Sequence, residues 1–413
     1  MSGYQPLQGL DKEEVRSTLD VLARDGAQRM LISALEQEVE EFLGRARYEH
    51  GSGRRRGYRN GSGKPRKIAV GCGTLEVRSP RIRDTDEPFH SQLLPRYQRS
   101  SAAVQALLPE LYLQGLATGD FEPALRALLG EAAPLSPASI VRLKAQWQAE
   151  YETWTRRPLD RRYAYCWADG LYLKAGPADE KTAVLIIIGV TEDGQKELLT
   201  MVEGYRESRE SWRDVLRDLR RRGLKDVRLF IGDGGLGLWA AVDEVYPAAR
   251  HQLCWCHKML NVLDKLPQRV QPEAKTLVRD IYTAPTRAEA EARVQRFAQR
   301  FQRDYPRAVA SLVDHQAALL TYYDFPREHW KSLRTSNPIE STFDPVRLRT
   351  RATRRMRNAQ TGLYLVFQLV RRAERRWRRI DAPHLVARVL DGIQFVDGVE
   401  VTESAKRRKG AAA

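Results

Sequence analysis

Hydrophobic residues recur every three to four positions in two stretches near the start of the chain. Residues 11–44 keep this spacing throughout, which predicts a long helix. Residues 101–150 return to it, with breaks at Gly119 and at 134–137 that separate shorter helices. The second stretch has room for a helix-turn-helix pair of the kind that enters a DNA groove, although helices that merely pack on their neighbours share the same pattern.

Between these helical stretches the chain becomes basic and rich in glycine. Residues 45–67 contain nine Lys or Arg, a single acid and five glycines. Such a composition argues against a packed element. We interpret it either as a solvated loop or as an arm that contacts phosphates and becomes ordered on DNA. Residues 67–84 then alternate between apolar and polar positions, which predicts a short hairpin.

From residue 161 onward the pattern changes to the alternation and continuous apolar runs typical of strands. Three strands, a helix, a strand, a helix and a final strand predict a mixed α/β sheet. Their positions are 161–176, two strands within 182–204 around a Glu-Asp-Gly turn, 208–224, 227–233, 238–246 and 251–256. Residues 258–330 read as wholly helical, and residues 336–379 as helical and densely basic.

Three acidic residues lie in or beside these elements. Asp169 interrupts a strand-like run, Asp233 ends another, and Glu340 opens a helix. Carboxylates from separate elements can hold two Mg²⁺ ions about 4 Å apart, which activates water for phosphodiester cleavage. We therefore treat these three residues as candidate catalytic and metal-binding residues.

Each of these acids also has a purely structural interpretation. Asp169 and Gly170 form a dipeptide that favours hairpin turns. Asp233 can cap the following helix, and its glycine spacing matches the G-x-G-x-x-G of dinucleotide sites, but the next strand lacks an acid to hold a ribose. Asn337 and Glu340 have the spacing of a capping box, with Asn337 as the N-cap.

Cysteine and histidine cluster at one place in the chain. Cys254, Cys256 and His257 lie together, with His251 just upstream. A zinc site normally needs a second ligand pair, which the sequence does not supply, so we expect a buried cysteine and a hydrogen-bonded histidine without zinc. Four cysteines in a chain of 413 residues are too few for a disulfide framework, which favours a reducing cytoplasm.

Composition and charge narrow the class of protein. With 413 residues and 42% hydrophobic content, the chain can form two or three globular domains. The formal net charge of +16 favours a polyanionic partner, and the dominance of Arg favours nucleic acid over a membrane. The longest apolar run, 183–190, is too short to span a bilayer, and the N-terminus lacks the pattern of a secretion signal.

Arginine is concentrated immediately after Glu340. Residues 346–379 contain twelve Arg and a single acid, which favours phosphate binding beside the catalytic centre over a solvated helical face. The candidate DNA-binding residues from this segment and from the glycine-rich stretch are Arg54, Arg55, Arg56, Arg59, Arg347, Arg349, Arg351, Arg354 and Arg355.

Taken together, these motifs resemble the Mutator-type transposases of bacterial insertion sequences. The matching stretches follow one another in the same order as in that family, and they extend over most of residues 45–380. It rests on GYRNG (57–61), PRIRD (80–84), LYLQGLATGDFEPALRALLG (111–130), WADGLYLK (167–174), GDGGLGLW (232–239), HQLCWCHKMLNVLDKLP (251–267) and RTSNPIESTFDPVRLRTR (334–351).

The resemblance implies a ribonuclease H-like α/β core interrupted by an all-helical insertion. Asp169, Asp233 and Glu340 would be its catalytic acidic triad, and Cys254 and His257 a structural Cys-x-x-His pair. The implied organisation is a DNA-binding region (1–155), a catalytic core (156–268 and 331–358), a helical insertion (269–330) and a basic C-terminal region with a tail (359–413).

The expected activity follows from this resemblance. We expect a transposase that binds double-stranded DNA, cuts and joins it at terminal inverted repeats, uses Mg²⁺ with Mn²⁺ as a substitute, and works as a homodimer or larger assembly near the nucleoid. Two alternatives stay open. One is a catalytically silent, domesticated DNA-binding protein or repressor of the same fold, and the other is a nuclease that cuts without joining.

Overall fold

The chain divides into two compact units. The computed structural model describes residues 12–49, 57–114, 121–130, 137–175, 180–204, 207–352 and 359–401. The two units are Met1–Leu143 and Lys144–Ala413.

The first unit combines helices with a β-hairpin. Its elements are α1 (Lys12–Leu43), β1 (Tyr58–Val70), β2 (Gly73–Arg83), α2 (Ala102–Gln114) and α3 (Phe121–Leu129), and α4 (Pro137–Thr155) contains the boundary between the units. The second half of α1 packs on the hairpin, where Leu35 joins Ile68, Leu75 and Val77 in a small core. The predicted long helix and the predicted hairpin are both confirmed.

The strand β1 begins earlier than the sequence predicts. Residues 58–66 pair with β2, although their glycines and charges argue against a packed element. The pairing is irregular, with shifts of register between Arg59 and Ser62 and between Ser62 and Pro65. Gly61, with φ of +68°, supplies the left-handed backbone that such a bulge can require. The prediction of an unpacked stretch is therefore wrong for these residues.

The second unit is built on a five-stranded mixed sheet. Its strands are β3 (Tyr163–Ala175), β4 (Glu180–Thr191), β5 (Lys196–Gly204), β6 (Leu229–Gly232) and β7 (Arg250–Leu253), in the spatial order β5-β4-β3-β6-β7. β3, β4 and β5 form an antiparallel meander, whereas β6 and β7 run parallel to β3. The predicted mixed sheet is confirmed.

Helices cover both faces of this sheet. α5 (Arg209–Arg222) and α6 (Leu236–Val245) cover one face, where Trp212, Leu216 and Leu219 pack against residues of β3 and β4. α13 (Asn337–Ala352) and α14 (Ala359–Glu374) pack against β3, and α14 also packs against β5. The apolar run 183–190 forms β4, whose side chains at 183–188 are at most 1% exposed.

Helices fill the chain between β7 and α13, as the sequence predicts. They are α7 (Trp255–Leu263), α8 (Gln271–Tyr282), α9 (Arg287–Phe301), α10 (Pro306–Val313), α11 (Gln316–Leu319) and α12 (Trp330–Leu333), with two short 3₁₀ turns. After α14, α15 (His384–Leu390) precedes a minimal hairpin of β8 (Phe395–Val396) and β9 (Val399–Glu400). Within the described part of the chain, no helix is long and apolar enough to cross a membrane.

The last sheet strand is shorter than predicted. β7 ends at Leu253, and α7 starts at Trp255, so residues 254–256 are not part of a strand. The Cys254 N–H still donates to Gly232 O (2.8 Å), but the next N–H, of Trp255, donates to Arg334 O (2.9 Å). This switch of partner ends the sheet and turns the chain into α7.

Candidate active site

Asp169 lies within an uninterrupted central strand. β3 pairs with β4 on both sides of it, and the pairs Asp169↔Ile186 and Gly170↔Leu185 belong to a continuous register. The hairpin-turn interpretation of this dipeptide is therefore wrong, because pairing with the apolar β4 holds the backbone extended. The strand carries a carboxylate into the centre of the sheet.

Asp233 directly follows β6, the strand next to the one that carries Asp169. β3 and β6 are parallel, and Trp167 pairs with Ile231. Asp169 and Asp233 each follow that pair by two residues, so they occupy corresponding positions just where β6 ends. The carboxyl ends of parallel strands are where α/β folds place ligands.

Hydrogen bonds hold the turn that carries Asp233. Its Oδ1 accepts from Gly235 N (2.9 Å), and its carbonyl oxygen accepts from the Trp239 indole (3.0 Å). The N-cap of α6 is Gly235, without a side-chain cap, so the interpretation of Asp233 as N-cap is wrong. Gly237 also has a packing role, because a Cβ there would lie 2.6 Å from the carbonyl oxygen of Glu207.

Glu340 lies in the first turn of α13. Ser336 O accepts the N–H groups of Ile339 and Glu340, both at 2.9 Å, so Ser336 rather than Asn337 precedes the helix. The predicted capping box is wrong by one residue, because Asn337 is already helical. The Ser336 hydroxyl instead donates to Glu340 Oε1 and so fixes the direction of this carboxylate.

Ser336 also joins α13 to the start of α7. Its N–H donates to Cys254 Sγ (3.2 Å), and its hydroxyl oxygen, whose proton goes to Glu340, lies 3.0 Å from Cys254 Sγ and 3.3 Å from His257 Nδ1. His257 Nδ1 is 3.6 Å from Glu340 Oε1. Cys254 and Ser336 are buried, whereas His257 and Glu340 are partly exposed. The Cys-x-x-His segment therefore contacts the carboxylate directly through His257, and Ser336, which sequence analysis missed, links Cys254 to the same carboxylate.

Burial makes the ionised form of Asp169 costly. It is the main reason why the pKa of Asp169 is raised to about 7. The neighbouring charge of Asp233 raises the pKa further, whereas the hydrogen bond from Gly170 N (2.8 Å) and the charge of His257 lower it. A bound cation would compensate this unfavourable charge.

His257 carries the positive charge of the cluster. Its hydrogen bond to Cys254, followed by the charges of Cys254, Glu340 and Asp169, raises the pKa of His257 to about 9 against the opposing effect of burial. Hydrogen bonds from Cys256 and then from His257 and Ser336 lower the pKa of Cys254. These hydrogen bonds favour a deprotonated Cys254 and a protonated His257 beside Glu340.

The donor atoms allow two kinds of metal. Asp169, Asp233 and Glu340 offer oxygen, which suits Mg²⁺ and Mn²⁺. Cys254, His257 and Glu340 also place one ligand atom each within 4.8 Å of one another, a set that suits zinc. In that set, however, Ser336 already donates hydrogen bonds to Cys254 and Glu340.

Comparison with known proteins decides the family. Residues 4–380 match the family described as Transposase, Mutator family. The chain belongs to this family. The family resemblance seen in the sequence is thereby confirmed.

Several insertion-sequence transposases are similar to this Mutator-family chain. The transposase for element IS6120 of Mycolicibacterium smegmatis is 47% identical over 293 residues, which cover 71% of this chain and 91% of that protein. The transposase for element IST2 of Acidithiobacillus ferrooxidans is 45% identical, over 67% of this chain and 95% of that protein. The transposase for element ISRM5 of Rhizobium meliloti (strain 1021) is 33% identical, over 86% and 88%.

The candidate DNA-binding arginines of this Mutator-family chain are dispersed. Arg347 is exposed on α13, 3.8 Å from Asp344 and two helical turns beyond Glu340. Arg59 is partly buried in the first unit, 3.5 Å from Glu40. Arg349 and Arg351 belong to α13, but their side chains lie outside the described part of the structure. The remaining candidates lie wholly outside it: Arg54, Arg55, Arg56, Arg354 and Arg355.

Proposed function

We propose that this Mutator-family protein is a metal-dependent DNA transposase that cuts and joins strands at the terminal inverted repeats of an insertion sequence. The observation that carries the proposal is the convergence of acids within a chain of this family. Asp169 lies on β3, Asp233 follows the adjacent β6 at the corresponding position, and His257, whose charge acts on Asp169, contacts Glu340. Three distant segments thus supply one acidic centre.

The core of the second unit is, in this proposal, ribonuclease H-like. An antiparallel meander continued by two parallel strands supports this assignment, as do the helices on both faces. The helices α8 to α12 lie between the last sheet strand and α13, where the family resemblance implies an insertion. The acids then lie on one strand of the core, just after the end of a second strand, and on the helix that follows the insertion.

Asp169, Asp233 and Glu340 would hold divalent cations, with Mg²⁺ as the natural ion and Mn²⁺ as a substitute. Such ions, when bound, lower the pKa of water and neutralise charge on the phosphate. The oxygen-only donor set and the cost of an ionised Asp169 fit this role. Zinc is not expected, because Ser336 hydrogen-bonds to Cys254 and Glu340 within the alternative set.

The protein's own residues orient the centre. The backbone pairing of β3 and β6 places the two aspartates, and Ser336 directs the Glu340 carboxylate. His257 keeps a proton beside Glu340 and Asp169, which limits mutual repulsion among the acids before cations bind. Water first cleaves a phosphodiester at an element end, and the released 3′-hydroxyl then attacks another strand, so no covalent protein–DNA intermediate is needed.

Double-stranded DNA is the proposed partner. The net charge of +16 and the exposed Arg347 beyond the centre favour phosphate contacts. The region 1–155 would read the inverted repeats, while residues after Glu340 hold the DNA near the acids. Joining two ends requires two protomers, so we propose a dimer or a larger assembly on DNA, active in the cytoplasm at the nucleoid.

A strand-transfer assay tests this proposal. About 1 kb of DNA on each side of the gene is sequenced, and duplexes that carry the terminal repeats are incubated with the full chain and Mg²⁺. Wild type and a control, Asp214→Asn, in which a largely exposed acid of α5 is neutralised, should cut and join the ends. Asp233→Asn should bind the same DNA without cutting it. Cutting and joining by Asp233→Asn at the wild-type rate would refute the proposed centre.

A further inference from the structure

A carboxylate that the sequence analysis did not single out lies against the central strand. Glu207 precedes α5, whose N-cap is Ser208. A Cβ atom built on Gly170 would lie 2.2 Å from Glu207 Oε1 and 2.4 Å from its Cδ. The carboxyl group of Glu207 therefore occupies the space that any larger side chain at position 170, next to Asp169, would need.

A second glycine accommodates the backbone of Glu207. A Cβ atom on Gly237, in the first turn of α6, would lie 2.6 Å from Glu207 O and 2.8 Å from Arg209 N. These distances are far below a normal carbon contact, so the α6 turn packs directly on the backbone at 207–209. Two glycines thus hold Glu207 between β3 and the turn that follows Asp233.

Glu207 reaches the centre from the side opposite Glu340. Successive positions of a β-strand face opposite sides of the sheet. Asp169 and Gly170 therefore belong to opposite faces of β3. Trp167, on the face of Asp169, donates to Ser332 O (3.3 Å), near the start of α13. Ala168, on the face of Gly170, packs with α5 and α6. Glu207 and the segment that leads to Glu340 therefore approach β3, the strand of Asp169, from different faces.

Among the described residues, the positive charge that acts on the partly buried Glu207 carboxylate comes from His257 and not from an ion pair with Lys or Arg. Among the ion pairs of the described residues, none joins Glu207 to Lys or Arg. Its hydrogen-bond donor is the Tyr172 hydroxyl, and the charges that act on it are those of Asp233 and His257. Burial, and then the charge of Asp233, raise the pKa of Glu207, although the Tyr172 bond lowers it. A divalent cation shared with Asp233 would supply the missing charge.

We propose that Glu207 is a fourth carboxylate of the metal centre and contributes to binding the divalent cations held by Asp169 and Asp233. The inference rests on the proposed function, because the cations are those of the proposed transposase centre. It also assigns a role to Gly170, which leaves room for the Glu207 carboxyl group, and to Tyr172, whose hydroxyl orients it.

Direct titration of the full chain with Mn²⁺, in the absence of DNA, tests the inference. Electron paramagnetic resonance reports the free ion, and thermal melting without metal confirms that each variant folds. Glu207→Gln should weaken Mn²⁺ binding about tenfold, the lower limit for loss of a supporting carboxylate. The matched control is Glu210→Gln, which removes the same charge three residues away from an exposed side chain and should change binding less than about twofold.

Two further variants separate a metal-binding role from a structural one. Gly170→Ala keeps the carboxylate but displaces it, and should also weaken Mn²⁺ binding about tenfold. Tyr172→Phe removes the orienting hydroxyl of a half-exposed side chain and should weaken binding less than Glu207→Gln does. If Glu207→Gln does not fold, Gly170→Ala and Glu207→Asp decide the question by the same titration.

The outcomes distinguish this inference from the proposed function. If Glu207→Gln binds Mn²⁺ as Glu210→Gln does while Asp233→Asn loses binding, Glu207 is not part of the centre, but the centre stands. If neither Glu207→Gln nor Asp233→Asn changes Mn²⁺ binding, the proposed metal centre itself is wrong. A loss in both variants, with Glu210→Gln unaffected, supports both.

Discussion

The aspartates and Glu340 are positioned in physically different ways. Asp169 lies within a buried sheet and Asp233 directly follows the adjacent strand, so the main-chain pairing of β3 with β6 sets their relative position. Glu340 takes its place at the junction of α7 and α13, from the hydrogen bond of the Ser336 hydroxyl and the charged contact with His257 (3.6 Å). Substitutions at the junction should therefore impair the centre without unfolding the sheet, and substitutions of the aspartates should leave both elements in place.

The largest effect is expected for Asp169→Asn. It should lower the rate of strand cleavage about 1,000-fold, which corresponds to about 4 kcal/mol of lost transition-state stabilisation. Because burial disfavours the ionised form, the same variant should melt at pH 8 no lower than the wild type without metal. Cleavage assays and calorimetry on one preparation measure both. If the variant is inactive because it is unfolded, this would contradict the claim that the Asp169 carboxylate serves the centre and is not needed for folding.

Ser336→Ala tests whether the junction of α7 and α13 positions Glu340. It removes the hydroxyl that bonds to Cys254 and Glu340, and should lower cleavage about 10- to 100-fold, the range found for residues that orient metal ligands. Stability should fall by about 1–2 kcal/mol.

Ser341→Ala is the matched control for this change. Ser341 is exposed on the same helix, and its hydroxyl bonds at 3.4 Å to Pro338 O. It should leave both the rate and the stability near wild type. Equal rates for the Ser336 and Ser341 variants would show that Glu340 does not depend on the junction.

The pH dependence of metal binding should report the buried aspartate. Below pH 7, Asp169 is protonated and a cation must displace that proton, so Mn²⁺ affinity should fall about tenfold for each pH unit below 7 and level off above it. Without metal, the stability of the fold changes with pH in the opposite direction. A carboxyl with a raised pKa makes the fold less stable as pH rises from about 4 to 7.

Asp169→Asn should remove the Asp169 part of this pH dependence. Titrations of Mn²⁺ at several pH values, compared between wild type and this variant, make the measurement. An unchanged profile would assign the titration to another group, such as Glu207.

The smallest effect is expected on the DNA surface beyond the centre. Arg347→Gln removes an exposed charge two turns after Glu340, and should reduce the slope of log affinity against log salt by about 1. Arg303→Gln removes an exposed charge two residues after the end of α9, and as the control it should leave the slope unchanged. Fluorescence anisotropy with an element-end duplex measures both. Equal slopes would show that Arg347 does not contact phosphate.

Local patterns revealed much of the sheet but little of its contacts. The apolar run of β4 and the amphipathic spacing of α5 identify these elements directly, because burial follows from their own residues. The hairpin interpretation of Asp169 and Gly170 failed because pairing with the distant β4, rather than the dipeptide, decides the backbone. Residues 58–66 form a strand for the same reason, through their pairing with β2.

The contacts around the three acidic residues were likewise not predictable from local sequence patterns. Asp169, Asp233 and Glu340 lie in recognisable motifs, but nothing in the sequence near Ser336 or Glu207 indicates their contacts. Ser336 meets Cys254 only once α7 and α13 are folded together. Glu207 meets Gly170 through the return of the chain from β5 toward β3. Gly170 could have given a signal, but a glycine within a strand has several explanations.

Metal-directed cleavage of the protein chain tests the central claim most directly. Fe²⁺ replaces Mg²⁺ on the folded full chain, and ascorbate with peroxide generates hydroxyl radicals at the bound ion. We predict peptide cuts close to Asp169, Asp233 and Glu340 in the same molecules, suppressed by excess Mg²⁺ and absent in Asp233→Asn. Cuts confined to the segment around Cys254 and His257, or cuts that Asp233→Asn leaves unchanged, would contradict a single centre built from the three acids.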